Sequence, residues 1–327
     1  EEYGRVRDLL VEELGIDPSQ QLTHVYEGIL RESPELAAPV PLPSPATAAP
    51  VPAQASYTLP YDLADFSGRD REQRELLDCA QRSLTCAPGI VAVDGMGGCG
   101  KTALAVRVAH RLADAYPDGQ LYINLRGYTP GEQPVTSAAA LATLLRALGI
   151  PGDQIPDDLE GRTAAWRAAL MGRRLLLLLD NAVDAAEVRL LMPPSPGCLV
   201  LVTSRSRLLD LDGAHWTSLD VMSSDDSVLL VSKTLGAERV AAEPEASAEL
   251  ARLCGHLPLA LRIATARLRN RPRWTIGYLV DRLCDETRRL DELSLGERSV
   301  AATLRLSYQT MTAESRVAFR LLALHPG

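Results

Sequence analysis

The stretch Gly95-Met96-Gly97-Gly98-Cys99-Gly100-Lys101-Thr102 decides how this chain is read. It fits the pattern G-x-x-x-x-G-K-[ST], and each part of the pattern has a physical purpose. The glycines Gly95, Gly97, Gly98 and Gly100 let the backbone curl, so that successive N–H groups converge on phosphate oxygens. Lys101 adds a compact positive charge at the β- and γ-phosphates, and Thr102 offers a hydroxyl to magnesium. Ile90–Val93 reads as a strand directly upstream. Downstream, Leu104, Val108 and Leu112 recur at helical spacing. A helix starting at Lys101 adds its N-terminal dipole to the site, with Ala103 in its first turn. Strand, glycine loop and helix in this order imply a P-loop that binds a nucleotide phosphate.

Outward from the loop the pattern alternates between strands and helices. Strands are expected at Ile90–Val93, Gln120–Asn124, Leu175–Leu179 and Leu199–Val202, and helices at Lys101–Tyr116, Ser137–Leu148, Leu159–Met171 and Ala185–Leu191. Apolar-throughout strands are those of a parallel sheet covered on both faces, so the expectation is a three-layer α/β fold of the P-loop NTPase kind over residues 57–221. Beyond residue 222 the strand signals stop. Helices are expected at Ser224–Thr234, Glu245–Cys254, Leu257–Arg269, Ile276–Thr287, Val300–Tyr308 and Ala313–Leu324, with an all-helical domain over 222–293 and a further unit over 294–327. Residues 1–31 read as a helical hairpin, with Gly15 ending one helix and Asp17-Pro18 starting the next. Residues 32–56, rich in proline and alanine, read as an extended spacer. The first residues read as mid-helix, so the chain is expected to be a fragment of something larger.

Three further positions carry chemistry. Asp180 ends the run Arg174–Leu179, where an acid at the carboxyl end of a buried strand can hold Mg2+ together with Thr102. The alternative is a helix cap, which Asn181 or Asp184 could equally supply. Asn181 stands where a fast hydrolase places a carboxylate to polarise water, and an amide cannot take a proton, so turnover is expected to be slow. Arg205, at another strand end, could reach a γ-phosphate, which makes Lys101, Asp180 and Arg205 the candidate catalytic set. Cys99 is either a redox-sensitive thiol at a helix N-terminus or a small side chain whose backbone does the binding. Arg262, Arg267, Arg269, Arg271 and Arg273 read as a solvated basic helix face.

Composition narrows the partners. A net charge of −8 argues against nucleic acid held by bulk electrostatics. The 6 cysteines form no C-x-x-C pair and read as reduced thiols of a cytoplasmic protein. No apolar run approaches a membrane span, so no membrane partner is expected. No G-x-S-x-G or H-E-x-x-H is present, and His24, His110 and His215 have no catalytic partner nearby in sequence.

The order of these motifs resembles the NB-ARC class of STAND nucleotide switches and, more closely, AfsR-type members of the SARP family of actinobacterial antibiotic regulators. Phe66-Ser67-Gly68-Arg69 is similar to the segment that contacts adenine in that family, which implies roles for Phe66, Gly68 and Arg69. Leu178–Ala182 and Val202–Arg205 are similar to its Walker B and sensor strands. Cys254–Leu261 resembles the GLPL motif, which implies that Pro258 packs near the adenine. Residues 294–327 resemble the start of a winged helix, without a counterpart of the family's later ADP-touching histidine; His325 is not its match. Residues 1–31 resemble the end of a bacterial transcriptional activation domain. The resemblance implies an ATP/ADP switch of a transcriptional activator, acting with its own upstream DNA-binding and activation domains and with downstream domains, and open to homo-oligomerisation. A P-loop phosphotransferase and a non-hydrolysing scaffold stand as alternatives.

Overall fold

The computed structural model describes residues 56–82, 89–129, 132–194, 196–296, 298–309 and 311–322. The hairpin expected at 1–31 and the spacer up to residue 55 lie outside them. Ser56, read as the end of the spacer, instead opens a strand: β1 (Ser56–Tyr57) precedes α1 (Asp70–Arg82). Then follow β2 (Gly89–Asp94), α2 (Lys101–Leu112), β3 (Gly119–Asn124), α3 (Ser137–Ala147), α4 (Leu159–Leu170), β4 (Leu176–Ala182), α5 (Ala185–Leu190), β5 (Leu199–Ser204) and β6 (His215–Ser218). The strands make one six-stranded sheet in the order β1-β3-β4-β5-β2-β6, parallel at every pairing. β1 and β6 were missed because a two-residue and a half-exposed four-residue strand carry too little apolar pattern to register.

The alternation of side chains along β4 explains the layers. Leu176 and Leu178 join one buried cluster with α1 and α2, whereas Leu177 and Leu179 join the other with α3, α4 and α5. All four leucines are 0% exposed, and each such burial contributes roughly 1.5–3 kcal/mol. Helix starts are capped as their sequences dictate. The side chains of Thr136, Asp158 and Asp184 accept from backbone N–H groups at the heads of α3, α4 and α5. Because Asp184 caps α5, Asp180 is free of that duty.

The helical part continues with α6 (Ser224–Leu235), α7 (Ala237–Ala242), α8 (Pro244–Leu253), α9 (Pro258–Asn270), α10 (Ile276–Cys284) and α11 (Glu286–Glu292). The single helix expected at 276–287 is broken because Asp285 takes an extended conformation. After α11 come β7 (Ser294–Leu295), β8 (Arg298–Ser299), α12 (Val300–Gln309) and α13 (Ala313–Leu322). β7 and β8 pair antiparallel, so strands do not stop at residue 222 as expected. The core on the α2 face of the sheet is continuous with the core of α6, α8, α9 and α10. No described helix is long and apolar enough to cross a membrane.

Candidate nucleotide site

The carboxyl ends of the parallel strands converge on a cavity of about 520 Å³. This is the edge at which open α/β sheets bind ligands. The glycine loop leaves β2 and forms its floor, with Gly97–Ala103 all lining it. Gly95 has a φ of +146°, and a Cβ there would stand 2.3 Å from the carbonyl oxygen of Leu219, so no other residue fits without moving β6's continuation. Lys101 is 7% exposed and donates from Nζ to the carbonyls of Gly95 and Met96 at 2.7 and 2.8 Å. Burial holds its pKa below the ordinary lysine value, offset in part by neighbouring Cys99 and Asp180.

Asp180 is 2% exposed and gathers hydroxyls from three elements. Its Oδ1 accepts from Thr102 at 2.7 Å and from Thr203 at 2.5 Å, and its Oδ2 accepts from the Tyr122 hydroxyl at 3.2 Å and from Asn181 Nδ2 at 3.4 Å. The register of β3 on β4 sets Asn124 opposite Asp180, and Leu178 opposite Tyr122. Burial first, and then the Asp180 charge, push the Tyr122 hydroxyl's pKa well above the ordinary phenol value, so it stays a donor.

The wall opposite the loop comes from the helical part. Pro258 and Leu259 open α9, and the Leu259 N–H donates to the Gly98 carbonyl at 3.2 Å. Gly98 has a φ of +85°, and its missing Cβ would lie 3.0 Å from that of Leu259. For Gly98→Ala we expect a loss of about 1–2 kcal/mol from the left-handed backbone alone, measured as a lower melting temperature together with weaker nucleotide affinity.

Arg69 is buried and staples three segments, donating to Glu72 Oε1, to the carbonyls of Asp220 and Val221, and to that of Cys99 at 3.4 Å. Phe66 lines the cavity with Pro60, Leu63, Val106, Met222 and Leu230, an apolar end suited to a base. Arg262, read as part of a solvated basic face, is instead a cavity residue. Its guanidinium grips Asp65 bidentately at 2.9 and 2.7 Å. That grip is the first cause of the lowered Asp65 pKa, so the link holds above the ordinary carboxylate range and is lost as pH falls through the lowered value. Arg267 of the same run bonds Glu292 at 3.3 Å, whereas Arg269, Arg271 and Arg273 are exposed.

Arg205 leaves the end of β5 and lines the cavity. Its guanidinium stacks on Tyr128, 4.7 Å from the ring centre, and donates to Thr303 O at 3.1 Å and Ser307 Oγ at 3.0 Å on α12. Thr303 also presses on the loop, where a Cβ on Gly97 would meet its methyl at 2.4 Å.

Of the residues expected at the site, the cavity brings together Phe66, Arg69, Gly97, Gly98, Cys99, Gly100, Lys101, Thr102, Ala103, Arg205 and Pro258. Three expected residues lie outside that lining: Gly68, Gly95 and Asp180, the last reaching it through the bond from the Thr102 hydroxyl. Gly68 does not line it; its φ is +68° and it packs on the Asp226 carboxylate at the head of α6, a structural turn. Gly95 reaches the site only through its carbonyl on Lys101. Cys99 is 1% exposed, and burial raises its thiol pKa, which accords with the reading in which its backbone does the binding. Sequence reasoning missed Pro60, Leu63, Arg262 and Arg298, because the segment 58–65 has no motif and Arg262 depends on a partner distant in sequence. His110 bonds the Pro60 carbonyl at 2.7 Å and His215 meets Glu75 at 3.3 Å, outside the cavity.

Five cations line this cavity (Arg69, Lys101, Arg205, Arg262 and Arg298) and no carboxylate among the described residues does. Such a balance suits a polyphosphate at one end and an apolar ring at the other. Fold and cavity thus define a protein of the P-loop nucleotide-binding class.

The NB-ARC domain profile matches residues 73–241, and the chain belongs to the NB-ARC family. It is 46% identical over 325 residues to the regulatory protein AfsR of Streptomyces griseus, covering 99% of this chain and 33% of that protein. It is also 46% identical over 330 residues to AfsR of Streptomyces coelicolor, with the same coverage of 99% and 33%. The chain therefore spans about a third of the length of these curated relatives. Among solved structures, Drosophila ORC bound to DNA overlaps at a TM-score of 0.49 and 16% identity, over 90% of this chain and 78% of that one.

Proposed function

We propose that this region is an ATP/ADP switch of a transcriptional regulator, in which Arg205 reports the third phosphate to α12. The observation that carries the reading is the dual placement of Arg205. It lines the cavity while its Nη1 donates to Thr303 O and Ser307 Oγ and its Nη2 to Tyr128 O. A γ-phosphate is a stronger acceptor than a neutral carbonyl or hydroxyl and would draw the guanidinium away. ADP makes no such demand, so the two nucleotides have different contacts with the two arrangements, as a switch requires.

Magnesium fits the donor set. Thr102 and Asp180 offer hard oxygens in contact with each other, and no group of three or more His, Cys, Asp or Glu among the described residues could hold an ion alone. The ion would share the nucleotide's phosphates, bridging and neutralising them. The base would sit against Phe66, Arg69 and Pro258. A phosphotransferase would need an acid or base beside the γ-phosphate, and the described cavity lining has no carboxylate and no histidine. Slow Mg2+-dependent hydrolysis would return the switch to the ADP form. In the whole protein the output would pass to DNA-binding and activation domains upstream, in a cytoplasmic regulator of secondary metabolism whose oligomeric state follows the nucleotide.

Hydrogen exchange tests this. In the wild-type chain, amides of 300–309 should exchange faster with a non-hydrolysable ATP analogue than with ADP. In Arg205→Ala they should exchange fast in both, with the difference erased. Equal exchange in the wild type with either nucleotide would sink the proposal.

A further inference from the structure

Asn181 lies at a break in β4. The pairing of β4 with β5 shifts register between Leu179 and Ala182, and Asn181 has a φ of +56°. It lines the cavity, and its side-chain amide nitrogen donates to Asn124 Oδ1 at 3.1 Å and Asp180 Oδ2 at 3.4 Å. Neither neighbour can swap roles. Asn124 Oδ1 is fixed as an acceptor by the Arg126 N–H at 2.9 Å, and the Asp180 carboxylate only accepts. Two acceptors therefore demand a donor at position 181. The amide is pinned, and no described group donates to its carbonyl oxygen, Oδ1.

We infer that the Asn124–Asn181 pair takes the place of a general base, with Asn181 Oδ1 orienting the attacking water but not deprotonating it, and Asn124 acting as the positioning residue that keeps the amide turned this way. The inference rests on the nucleotide reading above. In the step, the water oxygen forms a bond to the γ-phosphorus, and the bond from that phosphorus to the β–γ bridging oxygen breaks. ADP leaves with the electron pair, and the water's proton passes to a γ-phosphate oxygen. Without a side-chain base the step is slow, so the pair sets how long a bound triphosphate persists. A carboxylate at 181 would set acceptor against acceptor at Asn124 Oδ1 and Asp180 Oδ2. The arrangement thus selects an amide as well as tolerating one.

The test is single-turnover ATP hydrolysis by this chain, with nucleotide affinity measured alongside. Asn181→Asp should hydrolyse about 100-fold faster than wild type, the low end of what a positioned base supplies. Asn124→Ala should lower the wild-type rate with nucleotide affinity unchanged, and Asn124→Asp, which keeps an acceptor facing the Asn181 amide, should restore it. Asn181→Gly, which suits the positive φ, should cut the wild-type rate about threefold or more by removing the orienting oxygen. Asn181→Asp no faster than wild type, a rate indifferent to Asn124→Ala, or an unchanged rate in Asn181→Gly would each overturn the inference while nucleotide binding stands. A wild-type chain that binds no nucleotide would overturn both.

Discussion

Lys101→Ala should weaken ATP and ADP binding at least about 100-fold. Two charge-assisted hydrogen bonds to phosphate are worth about 1.5–3 kcal/mol each, and every 1.4 kcal/mol is about tenfold in affinity. Geometry supports the upper part of that range. The ammonium is buried and held only by neutral carbonyls and the Cys99 sulfur at 3.9 Å, with its pKa lowered by burial. Phosphate supplies the missing negative charge, so binding stabilises the lysine as well as the ligand. The same logic predicts that the variant without nucleotide melts no lower than wild type, because a costly buried charge has gone. Only the rise in melting temperature on adding ADP should vanish. Fluorescent-nucleotide anisotropy and thermal melts check both halves. Affinity within about threefold of wild type would remove the loop from the site.

Asp180→Ala should do the opposite, costing the fold as well as the ligand. Thr203 is 0% exposed and Tyr122 is half-buried, and both lose their acceptor. An unsatisfied buried donor costs about 1–3 kcal/mol, so two of them imply a drop in melting temperature on the order of 5–10 °C for a domain of this size. Asp180→Asn separates the roles, since it keeps an acceptor oxygen and removes the charge. Its fold should survive, while the enhancement of nucleotide binding by Mg2+ should be lost. An Asn variant that still responds to Mg2+ like wild type would exclude Asp180 from the metal site.

The phosphate half of the site was legible because its signals are local. Glycines, lysine and threonine stand within eight residues, and the leucines of β4 announce a buried strand. The remainder depends on the register between strands and on distant pairs. Nothing around Asn124 hints that β3 will bring it opposite Asp180. Nothing in the arginine-rich helix distinguishes Arg262, whose partner Asp65 is 197 residues away. Gly68, which the family pattern places beside functional residues, makes a left-handed turn against Asp226 and stands outside the cavity lining. Short strands such as β1 gain their identity from a neighbour and have almost no pattern of their own.

The continuous core shared by the sheet and α6 to α10 has a mechanical consequence. These elements can separate only by exposing dozens of apolar side chains, so they move as one block. The far end is different in kind. α12 buries only Val300, and α13 buries no residue at all, with Phe319, Leu321 and Leu322 more than half exposed. Levering that end away forfeits little hydrophobic contact beyond the Arg205 and Gly97 contacts to α12. Under the proposed switch, work done at the phosphates would be channelled into one pivot, held by the bonds of Arg205 and the contact of Thr303 with Gly97.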